Sequence, residues 1–278
     1  MAYHARAMRR QYVHFTSRTI SYLDSDPSAR DAKVLVLMHA FPLGAGMWEG
    51  QQKALPAGWR LLAPDLRGFG GSSINDPDDH PSMDDYATDV LDVLRELDIT
   101  SAVVGGCSMG AYAVFALLRH ARDLPRAVVL SDTRVGADSP EARANRRSML
   151  ALLDREGPSG VARDMMPKLL GRTTLEERPD VEPVVRRLIK QHAAPALRGA
   201  IHRMMARPDA SDVLRQVTVP ALIVVGEEDV LTPPDEARKM AELMVESQLV
   251  VVPRTGHLPN LEQPRVFNDA IHAFLSRL

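Results

Sequence analysis

A single cysteine, Cys107, stands among the 278 residues. One thiol excludes an internal disulfide and suits a reducing compartment, so the expected location is cytoplasmic. No apolar run approaches a membrane span. The arginines within residues 1–11 are not followed by the apolar stretch of a secretory signal. An excess of charge is lacking too. The formal net charge of −2 argues against a nucleic-acid or other polyanionic partner. The chain has no internal repeat, no low-complexity segment and no Cys/His grouping at metal-ligand spacing, and nothing calls for a cofactor or metal. Lysine is scarce, 5 residues against 29 arginines, which reads as genomic composition rather than function. What is present is a 45% hydrophobic content, enough for one large α/β domain with an insertion.

The most informative segment is Gly106-Cys107-Ser108-Met109-Gly110. It follows the apolar run Ala102-Val103-Val104 and precedes the helical run Ala111 to Leu118. Strand, G-x-S-x-G, helix is the context of a nucleophile elbow. A serine on so sharp a turn sits in strained backbone, and small neighbours leave it room. Ser108 is therefore the expected nucleophile. A phosphate loop would need a G-K-[ST] ending or G-x-G-x-x-G spacing, and neither is there. Cys107 is the rival nucleophile, but a frame shifted by one loses the second glycine.

A serine hydroxyl needs an imidazole base, itself oriented by a carboxylate. After such an elbow the expected order is Ser, Asp or Glu, His. Val219 to Gly226 reads as a buried strand, with Glu227-Glu228-Asp229 directly after it. A helix follows from Pro234 to about Val245, then a last strand Gln248–Val252 leading to Pro253-Arg254-Thr255-Gly256-His257. A final helix is expected from about Pro264 to Leu278. Asp229 and His257 thus fall on loops at the sheet edge that carries Ser108. His257 has eight competitors, His4, His14, His39, His80, His120, His192, His202 and His272, but it alone has the right order and loop. Asp229 has a rival in Asp132, after the strand Ala127–Leu130, and Glu227 and Glu228 are adjacent.

Tetrahedral intermediates need two backbone donors. Met109 N–H, after the nucleophile, is one. The other is expected from the loop after the strand Val34–Met38. Pro42 has no N–H, which leaves Phe41 first and Leu43 second. His39 is expected to brace that loop by hydrogen bonding.

Strand-like runs stop after Asp132 and resume at Val217. Between them lie helical stretches near Pro140–Glu156, Pro158–Leu170, Val181–His192 and Pro195–Ala206, punctuated by prolines. The expected organisation is a core of residues 1–132 and 213–278 with a helical cap of residues 133–212 over the active-site mouth. The cap carries 15 Lys/Arg against 11 Asp/Glu. A positive lid could draw carboxylate-bearing substrates, although a solvated helix surface explains the same count. Met165 and Met166 are candidate pocket residues, and Arg134 and Arg146 candidate carboxylate-binding cations.

The chain resembles the α/β-hydrolase family over nearly its whole length. The resemblance rests on His39-Ala40-Phe41-Pro42, Pro64-Asp65-Leu66-Arg67-Gly68-Phe69-Gly70-Gly71-Ser72, Gly106 to Gly110, Gly226-Glu227-Glu228-Asp229 and Gly256-His257. The segments Gly256 to Pro264 with Phe267, and Met166 to Leu170, are similar to the 3-oxoadipate enol-lactonase-like branch. The resemblance implies a mostly parallel sheet flanked by helices, with a cap after the sixth strand. It also implies a Ser108–Asp229–His257 triad with Phe41 and Met109 as oxyanion donors, and a small ester or lactone as substrate. Two departures are Ala40, where the family usually has glycine, and Cys107. Ala40 adds a methyl beside the oxyanion donor. Carbon–carbon bond hydrolases of this kind usually carry tryptophan after the histidine, where this chain has Leu258, another candidate pocket residue. Metal-free perhydrolase or haloperoxidase chemistry, and a slow-turnover ligand receptor, are the remaining alternatives.

Overall fold

The computed structural model describes residues 7–74 and 81–278. His4, His80 and the rest of residues 1–6 and 75–80 lie outside them. Eight strands form one sheet: β1 (Arg9–His14), β2 (Thr19–Asp24), β3 (Lys33–Met38), β4 (Trp59–Pro64), β5 (Ala102–Cys107), β6 (Pro125–Ser131), β7 (Ala221–Gly226) and β8 (Ser247–Val252). Their order across the sheet is β1-β2-β4-β3-β5-β6-β7-β8. β1 and β2 pair antiparallel, as do β2 and β4, and every pairing from β4 through β3 to β8 is parallel. β3, β5, β6 and β7 are buried on both faces. That explains their unbroken Val/Ile/Leu runs, since helices cover both sides of a parallel sheet.

The covering helices are α1 (Met83–Glu96), α2 (Met109–His120), α8 (Pro234–Leu243), α9 (Pro259–Glu262) and α10 (Pro264–Leu275). α1 opens on a reciprocal cap: the Ser82 hydroxyl accepts from the Asp84 N–H and the Asp85 carboxylate accepts from the Ser82 N–H. α2 starts at the elbow itself.

Between β6 and β7 the chain is helical: α3 (Pro140–Leu169), α4 (Arg172–Glu177), α5 (Val181–Lys190), α6 (Ala194–Ala206) and α7 (Ser211–Arg215). The break expected before Pro158 is a kink within α3, where Gly157 takes φ 64° and ψ −166°. Three elements have no counterpart in the sequence pattern. α4 and α7 are too short to show a helical period. The 3-10 segment Ala45–Ala54 buries Met47 and Trp48 without a recognisable stripe.

Candidate active site

The parallel strands bring their C-terminal ends to one edge, where such folds place ligands. At the end of β5, Ser108 adopts φ 53° and ψ −112°, a strained conformation for a residue with a Cβ. Its N–H donates to the Ser131 carbonyl at 2.9 Å, and its carbonyl accepts from Thr133 Oγ1 at 3.2 Å. The turn is feasible because a Cβ at Gly110 would stand 2.1 Å from the Met38 carbonyl oxygen; only glycine lets α2 come this close to β3.

His257 is 2% exposed. Its Nδ1 lies 2.8 Å from Asp229 Oδ2, so Nδ1–H is the donor and Nε2 is left for other work. The Asp229 carboxylate accepts further bonds from Thr232 Oγ1 (2.6 Å) and from the Leu231 and Thr232 N–H groups. Burial acts to raise the Asp229 pKa, but the facing His257 and the Thr232 bonds outweigh it, and the carboxyl falls below its ordinary range. The His257 carbonyl lies 3.7 Å from Cys107 Sγ, and the His257 N–H donates to Leu169 at the end of α3.

Asp132, the rival acid, occupies the neighbouring strand end. Its Oδ1 accepts from the Gly226 N–H at 2.9 Å, and its Oδ2 pairs with Ser131 Oγ. Burial and then the neighbouring Asp229 raise its pKa well above the usual carboxylate range. Acid atoms of Asp132, Asp229 and His257 all lie within 4.8 Å of one another, yet the hydrogen bond to the imidazole belongs to Asp229. Glu228 turns away to bond Thr173, and Glu227 accepts from the Arg254 N–H.

A cavity of about 600 Å³ opens over this edge. Ser108, His257, Thr232 and Phe41 are in its wall, and Met149 and Met165 of α3 face them. Cys107 is not in the wall. It is fully buried, and burial pushes its thiol pKa well up, the opposite of what a thiolate nucleophile needs. Neither the Phe41 nor the Met109 N–H donates to an acceptor among the described residues. His39 braces the loop: its Nδ1–H donates to the Ala40 carbonyl at 3.0 Å and its Nε2 accepts from the Leu66 N–H at 3.1 Å. Burial lowers the His39 pKa and keeps it neutral.

Of the expected pocket residues, Arg134 and Met165 line the cavity. Ala40, Met166 and Leu258 do not. They are buried in the hydrophobic core: Met166 follows Met165 on a helix and so points elsewhere, and the Ala40 N–H faces Met47 Sδ at 3.2 Å. Arg146 lines the cavity but is paired with Asp138.

Glu262 is a site residue that no sequence motif reveals. Fully buried, it accepts from the N–H groups of Gly171, Gly256 and Leu258 and from Thr174 Oγ1. It therefore fixes the His257 loop and the turn before α4 at once. Its only sequence signal is an acid five residues after the histidine, which no spacing rule distinguishes from a surface glutamate.

A strained serine at an elbow, a buried Asp–His pair and a cavity over the C-terminal edge of a mostly parallel sheet together define an α/β-hydrolase site. The chain belongs to the alpha/beta hydrolase family, whose sequence profile matches residues 35–270. It is similar to 3-oxoadipate enol-lactonase 2 of Acinetobacter baylyi, 25% identical over 250 residues covering 89% of this chain and 90% of that one. It is 27% identical to the bifunctional esterase/perhydrolase DCH of Acinetobacter calcoaceticus, over 91% and 94% of the two chains. Among solved structures, a thermophilic esterase from Thermogutta terrifontis with malate bound superposes with a TM-score of 0.87 at 34% identity, over 97% of this chain and 98% of that one.

Proposed function

We propose that this protein is a serine hydrolase of small carboxylic esters or lactones, working through an acyl-enzyme. The observation that carries the reading is the 2.8 Å Asp229–His257 bond beside Ser108 at one cavity. The esterase and lactonase names of the similar proteins support the substrate class.

In this reading His257 Nε2 takes the Ser108 proton as Oγ attacks the carbonyl carbon. The carbonyl oxygen becomes an oxyanion held by the Phe41 and Met109 N–H groups. The intermediate collapses to the Ser108 ester, and His257 returns the proton to the departing alkoxide. His257 next takes a proton from water, the hydroxide attacks the acyl carbon, and Ser108 leaves reprotonated with the carboxylic acid. Asp229 holds the imidazole tautomer and stabilises the imidazolium without taking a proton. The helices of residues 133–212 act as a cap that shapes the pocket and limits water. No cofactor or metal enters, and the expected partner is the small-molecule substrate alone.

A fluorophosphonate probe followed by peptide mapping tests this. One label on Ser108, absent in Ser108→Ala, together with steady turnover of aryl esters and enol-lactones, is the expected result. A label on Cys107, or undiminished labelling of Ser108→Ala, overturns it. The likeness to an esterase/perhydrolase makes peroxide the competing acceptor to include: peracid formed in acetate faster than ester is cleaved would reassign the reaction.

A further inference from the structure

Where the helices between β6 and β7 rest on the sheet, one contact reaches the loop that carries Phe41. His192, just after α5, is 5% exposed. Its ring stands over Gly44, where a Cβ would lie 3.1 Å from His192 Cε1 and 3.2 Å from Asp65 Oδ1. Four positions earlier, Leu188 stands over Gly46, where a Cβ would lie 3.0 Å from its Cδ2. Asp65 Oδ1 also accepts from the Ala45 N–H at 2.9 Å. Residues 44–46 are therefore seated against α5 and the turn after it as well as against Asp65.

The His192 ring is itself held in place. Its Nδ1 accepts from the Gly70 N–H at 3.3 Å. The charged or titratable groups that face it are His39, Asp65 and Arg10; burial, and then His39, lower its pKa to about 4, which favours the neutral ring that can accept. The ring meets Phe69 edge-on, with centroids 4.8 Å apart. Phe69 is fully buried and lies 4.7 Å from His39, which bonds the Ala40 carbonyl beside Phe41. Three rings in contact thus run from the helical side to the base of the Phe41 loop, and close-packed groups transmit a displacement. The Leu43 N–H donates back to the Ala40 carbonyl at 2.9 Å. That bond closes Ala40 to Leu43 into one tight turn, so a shift at Gly44 is carried to the Phe41 N–H.

We propose that His192 is a positioning residue: its ring, pressed on Gly44, sets where the Phe41 N–H points, so that the helices over the cavity help to build the oxyanion hole. This rests on the hydrolase reading above. A donor helps only where the oxyanion forms; losing one costs about 100- to 1000-fold in rate, and misplacing a group by about 1 Å costs on the order of 100-fold. Removal of the ring leaves the donor in place but less well aimed, so its effect falls below those limits.

The test compares wild type with His192→Phe, which keeps a ring over Gly44, and with His192→Ala and His192→Gln, which do not. His192→Gln still offers Gly70 an acceptor, so it carries the test if His192→Ala fails to fold. Each protein is given an aryl ester, an aryl trifluoromethyl ketone, which adds to a nucleophilic serine as an oxyanion, and the matching methyl ketone, which stays a ketone. Loss of the ring should lower kcat about 10- to 50-fold with KM within about threefold. It should weaken the trifluoromethyl ketone by the same factor while methyl ketone binding changes by less than about twofold. His192→Phe should stay within about fivefold of wild type on every readout. Equal weakening of both ketones makes His192 a prop of the pocket and overturns the proposal. So does a wild-type kcat in His192→Gln, or a His192→Phe as slow as the variants without a ring. If wild type neither cleaves the ester nor prefers the trifluoromethyl ketone, the hydrolase reading falls and the proposal with it.

Discussion

The two sides of the cavity are built on different principles. The side formed by the strand ends is held by backbone in contact with backbone. A Cβ at Gly226 would stand 1.9 Å from the Gly256 carbonyl oxygen, so the loops carrying Asp229 and His257 are pressed together where only glycine fits. Fully buried Glu262 then fastens the second loop. The helical side, α3 to α7, presents methionines to the cavity and is tied by arginine–carboxylate pairs, several of them exposed. Exposed pairs of this kind contribute little each, and methionine adapts to irregular contacts. The comparison teaches that the proposed catalytic residues sit on parts that tolerate almost no change, while the side proposed to set substrate choice is built of parts that tolerate a good deal.

The contrast can be broken most sharply at the Asp–His pair. Asp229→Asn should keep the fold and lower kcat by about 10⁴-fold, because the amide favours the wrong imidazole tautomer. Asp132→Asn should stay within about tenfold of wild type, since Asp132 does not orient the imidazole. Steady-state kinetics on one aryl ester checks both; reversed effects would hand the role to Asp132.

Glu262→Gln should come next. A neutral amide with one acceptor oxygen cannot serve three N–H groups and a hydroxyl, so stability should fall by roughly 2–4 kcal/mol. Denaturant unfolding measures this, with a parallel loss of activity as the His257 loop loosens. A silent Glu262→Gln would mean that the strand-end side is less rigid than described.

Met165→Ala tests the helical side. It should shift relative kcat/KM between short and long acyl chains by about 1–3 kcal/mol, with fluorophosphonate labelling of Ser108 intact. An unchanged ranking would move specificity to the loop around Phe41.

The smallest effect is on pH dependence. The folded-state pKa of Asp132 is raised, so the unfolded chain releases this proton at lower pH than the folded one. Stability from this group is fully present below the unfolded pKa and is lost as pH rises through the folded one. Asn cannot ionise, and its amide can serve Gly226 and Ser131 alike. Asp132→Asn should therefore gain stability over wild type progressively as pH rises above the ordinary carboxylate pKa of about 4 in thermal melts. A difference independent of pH would mean that the group is ionised in the fold.

Much of the strand-end side is legible in the sequence. Ser108, Asp229 and His257 are marked by local signals, a small-residue turn after an apolar strand and a fixed chain order, because short-range sterics set backbone at a strand end. Asp132 shows where that logic stops: it too follows a strand, and only the hydrogen bond from His257 to Asp229 separates the two. Pocket membership is less legible. Met165 and Met166 are equivalent in sequence and both are buried in the core, yet the rotation of one helix brings only Met165 into the cavity wall.

By itself, then, the sequence determined the layering of helices on a parallel sheet, the strained turn at Ser108 and the strand-end loops that carry Asp229 and His257. These depend on periodicity and on backbone geometry that neighbouring residues impose. Tertiary structure alone decided which carboxylate meets the histidine, that Glu262 ties the His257 loop to Gly171, 91 residues before Glu262, and that Arg134 bonds the Leu231 carbonyl while Arg146 pairs with Asp138. Each of those depends on side chains brought together from distant parts of the chain, where burial and the company of other charges, rather than residue type, set the outcome.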